Sequence, residues 1–188
     1  MPAPTLCGVP RLFTALVPDD AVLRDLATAL RPVQAALPEA RWEPVERWHV
    51  TLCFHGQAEV ADITAELREN ARGLAAPTLR LAGAGTFQNP SGGVVWIGVA
   101  GVDSAGDQGL NRLAEASGAD MGRFSGHLTV ARWKDGRPLA RRCREVAGEL
   151  ADYVSPAWTA TDLVVMSSQL SPRGPRYTVE ERVALRVP

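Results

Sequence analysis

The sequence predicts an α+β protein of two pseudo-symmetric lobes, each an antiparallel sheet with helices on its outer face and a cleft between them. Three observations lead there. Short apolar or alternating runs of strand length interleave with segments whose apolar residues recur at helical spacing. Several strands are joined by hairpin-length connections, which parallel strands cannot use. No glycine-rich phosphate loop of the GxGxxG or GxxxxGK[ST] kind occurs, so a doubly wound nucleotide fold lacks its usual signature.

The elements follow in order. Arg11 to Val17 (RLFTALV) reads as a buried strand. Asp19 and Asp20 then offer carboxylates to the start of a helix carrying Val22, Leu23, Leu26 and Leu30 on one face, with Pro32 placed to end or kink it. Arg47 to Phe54 (RWHVTLCF) alternates and is rich in strand formers, with Gly56 as its stop. Val60, Ile63, Leu67, Ala71 and Leu74 form a second helical stripe, closed by Gly73 and Pro77.

Thr78 to Phe87 and Val94 to Val99 predict a hairpin around Asn89-Pro90-Ser91-Gly92-Gly93. The uncharged run Leu81 to Val102 is long enough for a membrane span, but its six glycines and central polar turn favour two strands. Leu110, Leu113 and Ala114 predict a helix from about Ser104 to Ser117. His127 to Trp133 is a further strand. Leu139, Cys143, Val146 and Leu150 mark a last helix, and Thr159 to Gln169 pairs with Tyr177 to Leu185 across Ser171-Pro172-Arg173-Gly174-Pro175. No linker divides the chain, so 1–188 reads as a single bilobal domain.

Composition narrows the function classes. The 188 residues are 46% hydrophobic and 22% charged, which excludes disorder over most of the chain. The formal net charge of −1 excludes a generic polyanion binder. Nineteen of the twenty basic residues are arginine, Lys134 being the exception, so a phosphate contact here would use planar guanidinium groups. Three cysteines, Cys7, Cys53 and Cys143, without a CxxC, suit reduced thiols in cytoplasm better than a disulfide framework or a zinc site. The first eleven residues hold three prolines and no apolar core of signal-peptide length. GxSxG, HxH and HExxH are absent, which disfavours a serine hydrolase or a metal site.

One constellation carries chemistry. Two of the three histidines begin the same pattern, His49-Val50-Thr51-Leu52 and His127-Leu128-Thr129-Val130. With eleven threonines in the chain, chance gives such a repeat about one time in a hundred. Strand alternation puts each imidazole and hydroxyl on one face, about 6–7 Å apart, with the apolar pair facing the core. Singly, each histidine is an ordinary structural strand residue; together with their threonines they form a candidate acid–base pair with hydrogen-bond donors beside it.

These paired HxTx motifs resemble the 2H phosphoesterase superfamily, and within it the RNA 2′,3′-cyclic phosphodiesterases historically called 2′-5′ RNA ligases. Arg11 to Leu16, Trp48 to Phe54, Val95 to Val99, Phe124 to Arg132 and Leu163 to Tyr177 are similar to the family's successive segments, so the resemblance covers nearly the whole chain. Two positions depart from the pattern: Gly126 stands where proline often precedes the second histidine, and His55 where an apolar residue is usual.

The resemblance implies metal-independent hydrolysis of RNA 2′,3′-cyclic phosphate ends to a 2′-phosphate, reversible as 2′-5′ ligation, with no cofactor. It implies His49 and His127 as the acid–base pair, assigned as acid to the leaving 3′-oxygen and base for water, an order that near-symmetry allows to be reversed. Thr51 and Thr129 would donate to the non-bridging oxygens. Arg132 matches the family's HxTxxR arginine and is a candidate to bind the phosphate, but five residues from His127 it sits on the opposite face unless the strand bends, bulges or ends near there.

From Arg123 to Arg144, seven basic residues face the single acid Asp135, a local +6 that suggests a cationic lip; Arg137 to Arg144 otherwise read as a solvated helix face. Trp48, Trp133 and Phe87 are candidates for base stacking or for the core. His55 reads as a turn residue. The partners implied are RNA with 2′,3′-cyclic phosphate ends or small cyclic nucleotides, for a cytoplasmic monomer away from membranes. The alternatives are a phosphodiesterase for another small cyclic or 2′-5′ linked nucleotide, and a non-catalytic RNA-end binding module.

Overall fold

A computed structural model describes residues 11–134, 136–171 and 174–187, without the side chain of Arg137. Cys7, Asp135, and Pro172 and Arg173 of the last turn lie outside the described residues. The elements are β1 (Arg11–Leu16), α1 (Asp20–Ala36), β2 (Arg41–Trp42), β3 (Val50–Gln57), α2 (Val60–Asn70), β4 (Thr78–Asn89), β5 (Gly92–Gly101), α3 (Ser104–Ala116), β6 (His127–Lys134), α4 (Arg137–Glu149), β7 (Trp158–Thr159), β8 (Asp162–Ser171) and β9 (Gly174–Ala184). The α+β class is as the sequence predicts.

The strands lie in the order β7-β4-β5-β6-β3-β1-β8-β9, with β2 added beside β6, and all named pairings are antiparallel. The halves β7-β4-β5-β6 and β3-β1-β8-β9 join edge to edge through one register pair, Val50 with Leu128. The two expected sheets are therefore continuous at their meeting line. Val50 and Leu128 are fully buried in a core shared with Leu12, Leu16, Val95, Ile97 and the apolar faces of the helices. That core fixes the join, because slipping either strand by one residue would expose its apolar set.

Local chemistry explains the helices. Asp19 caps α1 by accepting from the Val22 amide at 2.9 Å, and Asp103 caps α3 by accepting from the Gly106 amide at 2.8 Å. Pro32 neither ends α1 nor shortens it; the helix continues to Ala36. Pro32 and Thr28, whose carbonyl loses its usual N–H donor, are both exposed, so the orphan oxygen lies on the solvent-facing side of the helix while Leu30 and Val33 stay packed.

Three sequence expectations shift. The segment before the first motif is a 3-10 turn, Val45–Arg47, so regular pairing in β3 begins only at Val50. Gly56 does not stop β3; it takes a left-handed φ of +69° beside an unpaired His55, and the strand runs on to Gln57. His55 lies in that bulge within the strand, its Nε2 2.7 Å from the Thr14 hydroxyl. Thr159 belongs to the two-residue β7 on β4, at the far edge from β8, so the last hairpin starts at Asp162.

Candidate active site

The face opposite the helices carries a cleft of about 760 Å³ over the β3–β6 junction. Its lining includes all five side chains singled out from the sequence: His49, Thr51, His127, Thr129 and Arg132. Antiparallel register explains the convergence. With Val50 opposite Leu128, the neighbouring positions set His49 across from Thr129, and Thr51 across from His127. Directly opposed residues of an antiparallel pair have Cβ atoms about 4.5–5.5 Å apart, so the four motif side chains share one small patch of the cleft. An antiparallel pair has a local two-fold axis, so the two motifs meet as near-equivalents.

The imidazoles are held in the same way. His49 Nδ1 lies 2.7 Å from the Arg47 carbonyl, and His127 Nδ1 lies 2.6 Å from the Ser125 carbonyl. A carbonyl only accepts, so each Nδ1 carries the hydrogen and donates it. Each Nε2 remains for the cleft, as an acceptor when the ring is neutral and a donor when it is charged. Gly126, where the family often has proline, is tied by its carbonyl to the Val99 amide at 3.1 Å, so pairing to β5 already holds the backbone before His127. Among the described residues neither the Thr51 nor the Thr129 hydroxyl has a protein hydrogen-bond partner.

Aromatic rings flank both histidines. His49 packs against Phe13 at 4.9 Å and edge-on to Tyr177 at 5.0 Å; His127 packs edge-on to Phe87 at 5.0 Å with Trp96 at 6.2 Å. His49 is the more enclosed. Burial pushes its pKa below the ordinary histidine value, against the bond to the Arg47 carbonyl; Arg132 and His127 add to the depression and Glu43 opposes it.

Arg132 reaches the cleft by the route that alternation requires. Thr129 pairs with Trp96 but Ala131 with Val95, leaving Val130 as a bulge that turns Arg132 back to the face of His127. Its Nε donates to Glu43 Oε1 at 2.7 Å.

Two cleft residues escape sequence reasoning, Phe54 because alternation misplaces it and Tyr177 because its partner is remote in sequence. Phe54 should face the core with Val50 and Leu52. Yet β3 carries a bulge at Leu52, since Thr51 pairs with Ala15 and Cys53 with Thr14, and Phe54 turns into the cleft beside Phe13 at 5.9 Å with 76% of its surface exposed. Tyr177 comes from β9, far away in sequence, and only the sheet order brings it to His49. Of the stacking candidates, Trp48 and Trp133 are buried in the core, whereas Phe87 stays 43% exposed beside His127. His55 points away from the cleft to Thr14. Arg123 lines the cleft, but Arg141, Arg142 and Arg144 engage Glu145, Glu39 and Gln88 on the outer surface.

Among the described residues no group of three or more His, Cys, Asp or Glu converges as a metal site, and no helix is long and apolar enough to cross a membrane.

Comparisons with known proteins bear on the family and the fold. The chain is 31% identical over 190 residues to a Thermus thermophilus protein named RNA 2′,3′-cyclic phosphodiesterase, covering 94% of this chain and 90% of that protein. A Methanothermobacter thermautotrophicus protein of the same name is 28% identical over 177 residues, covering 89% and 95%. Among solved structures, TT0787 of Thermus thermophilus superposes with a TM-score of 0.69 at 25% identity, over 94% of this chain and 98% of that one. The apo form of E. coli LigT shares the fold, with a TM-score of 0.63 at 20% identity over 95% and 99%. The family model for the 2′-5′ RNA ligase superfamily matches residues 17–171, a span that holds both HxTx motifs and the bulges behind them, and the chain belongs to that superfamily.

Proposed function

We propose that this protein hydrolyses RNA 2′,3′-cyclic phosphate ends to a terminal 2′-phosphate by acid–base catalysis between His49 and His127, without a metal ion. The observation that carries the reading is the crossed arrangement of the two motifs, each imidazole opposite the other motif's threonine and each with Nδ1 bound to a carbonyl. The names of the two relatives supply the substrate class.

The step is an in-line displacement at phosphorus. His127, the more open ring, takes a proton from water on Nε2 as the water oxygen bonds to phosphorus. The bond from phosphorus to the 3′-oxygen breaks, and His49 gives that oxygen the proton from its own Nε2. His49 must be charged to do this. Burial favours its neutral form, and the phosphodiester anion supplies the counter-charge that restores the imidazolium. Thr51 and Thr129 donate to the non-bridging oxygens, and Arg132 adds charge where the transition state gathers it. With a 5′-hydroxyl in place of water, the same displacement forms a 2′-5′ linkage and frees the 3′-hydroxyl, and its reverse opens that linkage back to the cyclic phosphate. Phe54, exposed on the cleft wall, offers a stacking face for a nucleobase.

The test uses an oligonucleotide ending in a 2′,3′-cyclic phosphate and, in parallel, a nucleoside 2′,3′-cyclic phosphate, both in excess EDTA. A 2′-phosphate product from the oligonucleotide supports the reading. Formation of the 3′-phosphate, turnover abolished by the chelator, or turnover of the mononucleotide alone would each replace it.

A further inference from the structure

Glu43 is a carboxylate that the reaction scheme does not use, yet it sits in the cleft wall with only 6% of its surface exposed. Buried carboxylates are rare without a compensating partner. Glu43 has three: Arg132 from β6 at 2.7 Å, Arg47 from the turn before β3 at 3.4 Å, and Arg41 from β2 at 3.6 Å. Its backbone is fastened as well. The Glu43 amide donates to the carbonyl of the bulged Val130 at 2.8 Å, and its own carbonyl accepts from Trp48 Nε1 at 3.0 Å. One residue thus grips the bulge that turns Arg132, the guanidinium of Arg132, and the turn whose Arg47 carbonyl accepts the hydrogen bond from His49 Nδ1.

From this, and resting on the phosphate chemistry proposed above, we infer that Glu43 is a positioning residue that aims Arg132 at the substrate phosphate and ties the two halves of the site together. The geometry leaves a definite role for each nitrogen of Arg132. Nε is taken by Glu43, so the two terminal nitrogens, on a side chain 42% exposed, turn to the cleft as a fork that fits two phosphate oxygens. Without the carboxylate, the Arg132 and Arg47 guanidiniums lose the anion between them. Charged groups around His49 come from every side: Arg132 and His127 from β6, Glu43 after β2, Arg47 on its own turn, with the Tyr177 phenol from β9. Glu43 is the anion of this set, and it favours the charged form of His49.

The experiment measures inorganic phosphate binding by calorimetry, which needs no turnover, for the wild type, Glu43→Gln, Arg132→Ala and the double variant. Glu43→Gln keeps the size and an acceptor oxygen but removes the charge. It is expected to weaken phosphate binding about tenfold, the scale of one charge-assisted hydrogen bond, and to add nothing in the Arg132→Ala background. It also moves the pH-profile limb governed by His49 to lower pH, a change that a purely structural brace would not produce. Glu43→Asp keeps the charge but withdraws from Arg132; it should weaken phosphate binding while leaving that limb in place, and it serves alone if Glu43→Gln does not fold. Wild-type phosphate affinity in Glu43→Gln, or a full multiplicative loss on top of Arg132→Ala, overturns the inference. A wild type that binds phosphate but leaves cyclic ends intact overturns the proposed reaction instead.

Discussion

Phe54 and Arg132 occupy the same place in the two halves of the cleft. Each lies five residues after a motif histidine, and each is turned inward by a bulge at the last residue of its motif, Leu52 in one and Val130 in the other. The backbone is repeated, whereas the side chains differ in kind: one half presents an aromatic face and the other a guanidinium. A phosphate with one nucleoside attached has the same asymmetry.

That difference predicts separable effects. Phe54→Ala should raise KM for a nucleotide substrate by an amount equivalent to about 1–3 kcal/mol of stacking, while inhibition by inorganic phosphate stays at the wild-type level. Arg132→Ala should weaken both. Steady-state kinetics with phosphate as competitive inhibitor reads the two together. Equal loss of phosphate affinity in Phe54→Ala would remove the aromatic side chain from base recognition.

The histidines should behave as a unit. His49→Ala and His127→Ala are each expected to lower kcat by about 10²–10⁴, and the double variant should fall little further than the worse single one, since an acid without its base completes no turnover. Single-turnover assays separate this from product release. Near-wild-type chemistry in either variant would take that ring out of the mechanism.

Thr51→Val and Thr129→Val keep the strand shape and delete only the hydroxyl. Each should reduce kcat by roughly 10–10³, the range for removing one donor to developing oxyanion charge, with thermal stability little changed because neither hydroxyl bonds to protein among the described residues. A variant that loses stability in step with activity would show the threonine to be a packing residue.

The sequence was sufficient for most of this because the site is built on strands. Period-two alternation puts His49 with Thr51, and His127 with Thr129, while Val50 and Leu128 mark the face that must be buried. It was also sufficient to state the condition on Arg132, since an odd offset demands a bulge, and the bulge lies at Val130. The same rule, applied to Phe54 without a bulge, sends it to the core. Nothing local in Thr51-Leu52-Cys53 announces the extra residue; it appears only when β3 is laid against β1. Glu43 and Tyr177 depend on partners 89 and 128 residues away, Arg132 and His49, and such pairings belong to the sheet order. That Pro32 does not end the helix has a simpler reason. The cost of proline in a helix depends on whether the orphaned carbonyl meets water, and here that carbonyl lies on the solvent-facing side of α1.

Stability should depend on pH through the enclosed histidines. Burial lowers the pKa of His49, with Arg132 and His127 adding to the shift, and burial likewise lowers that of His55 against the opposing charge of Glu66. In the unfolded chain both return to about 6.5. Between the folded values and about 6.5 the unfolded chain binds more protons, so stability is fully present above that pH and is lost as the pH falls through the window. Urea midpoints measured from about pH 7.5 down to 5, above most carboxylate titrations, should therefore decline in the wild type. His49→Gln and His55→Gln should each flatten the slope, and adding phosphate should restore stability most at the acid end, where His49 takes up the proton that the bound anion favours. A wild-type midpoint that holds constant across this range, or a slope unchanged by both substitutions, would mean that the rings are charged as easily in the fold as in water.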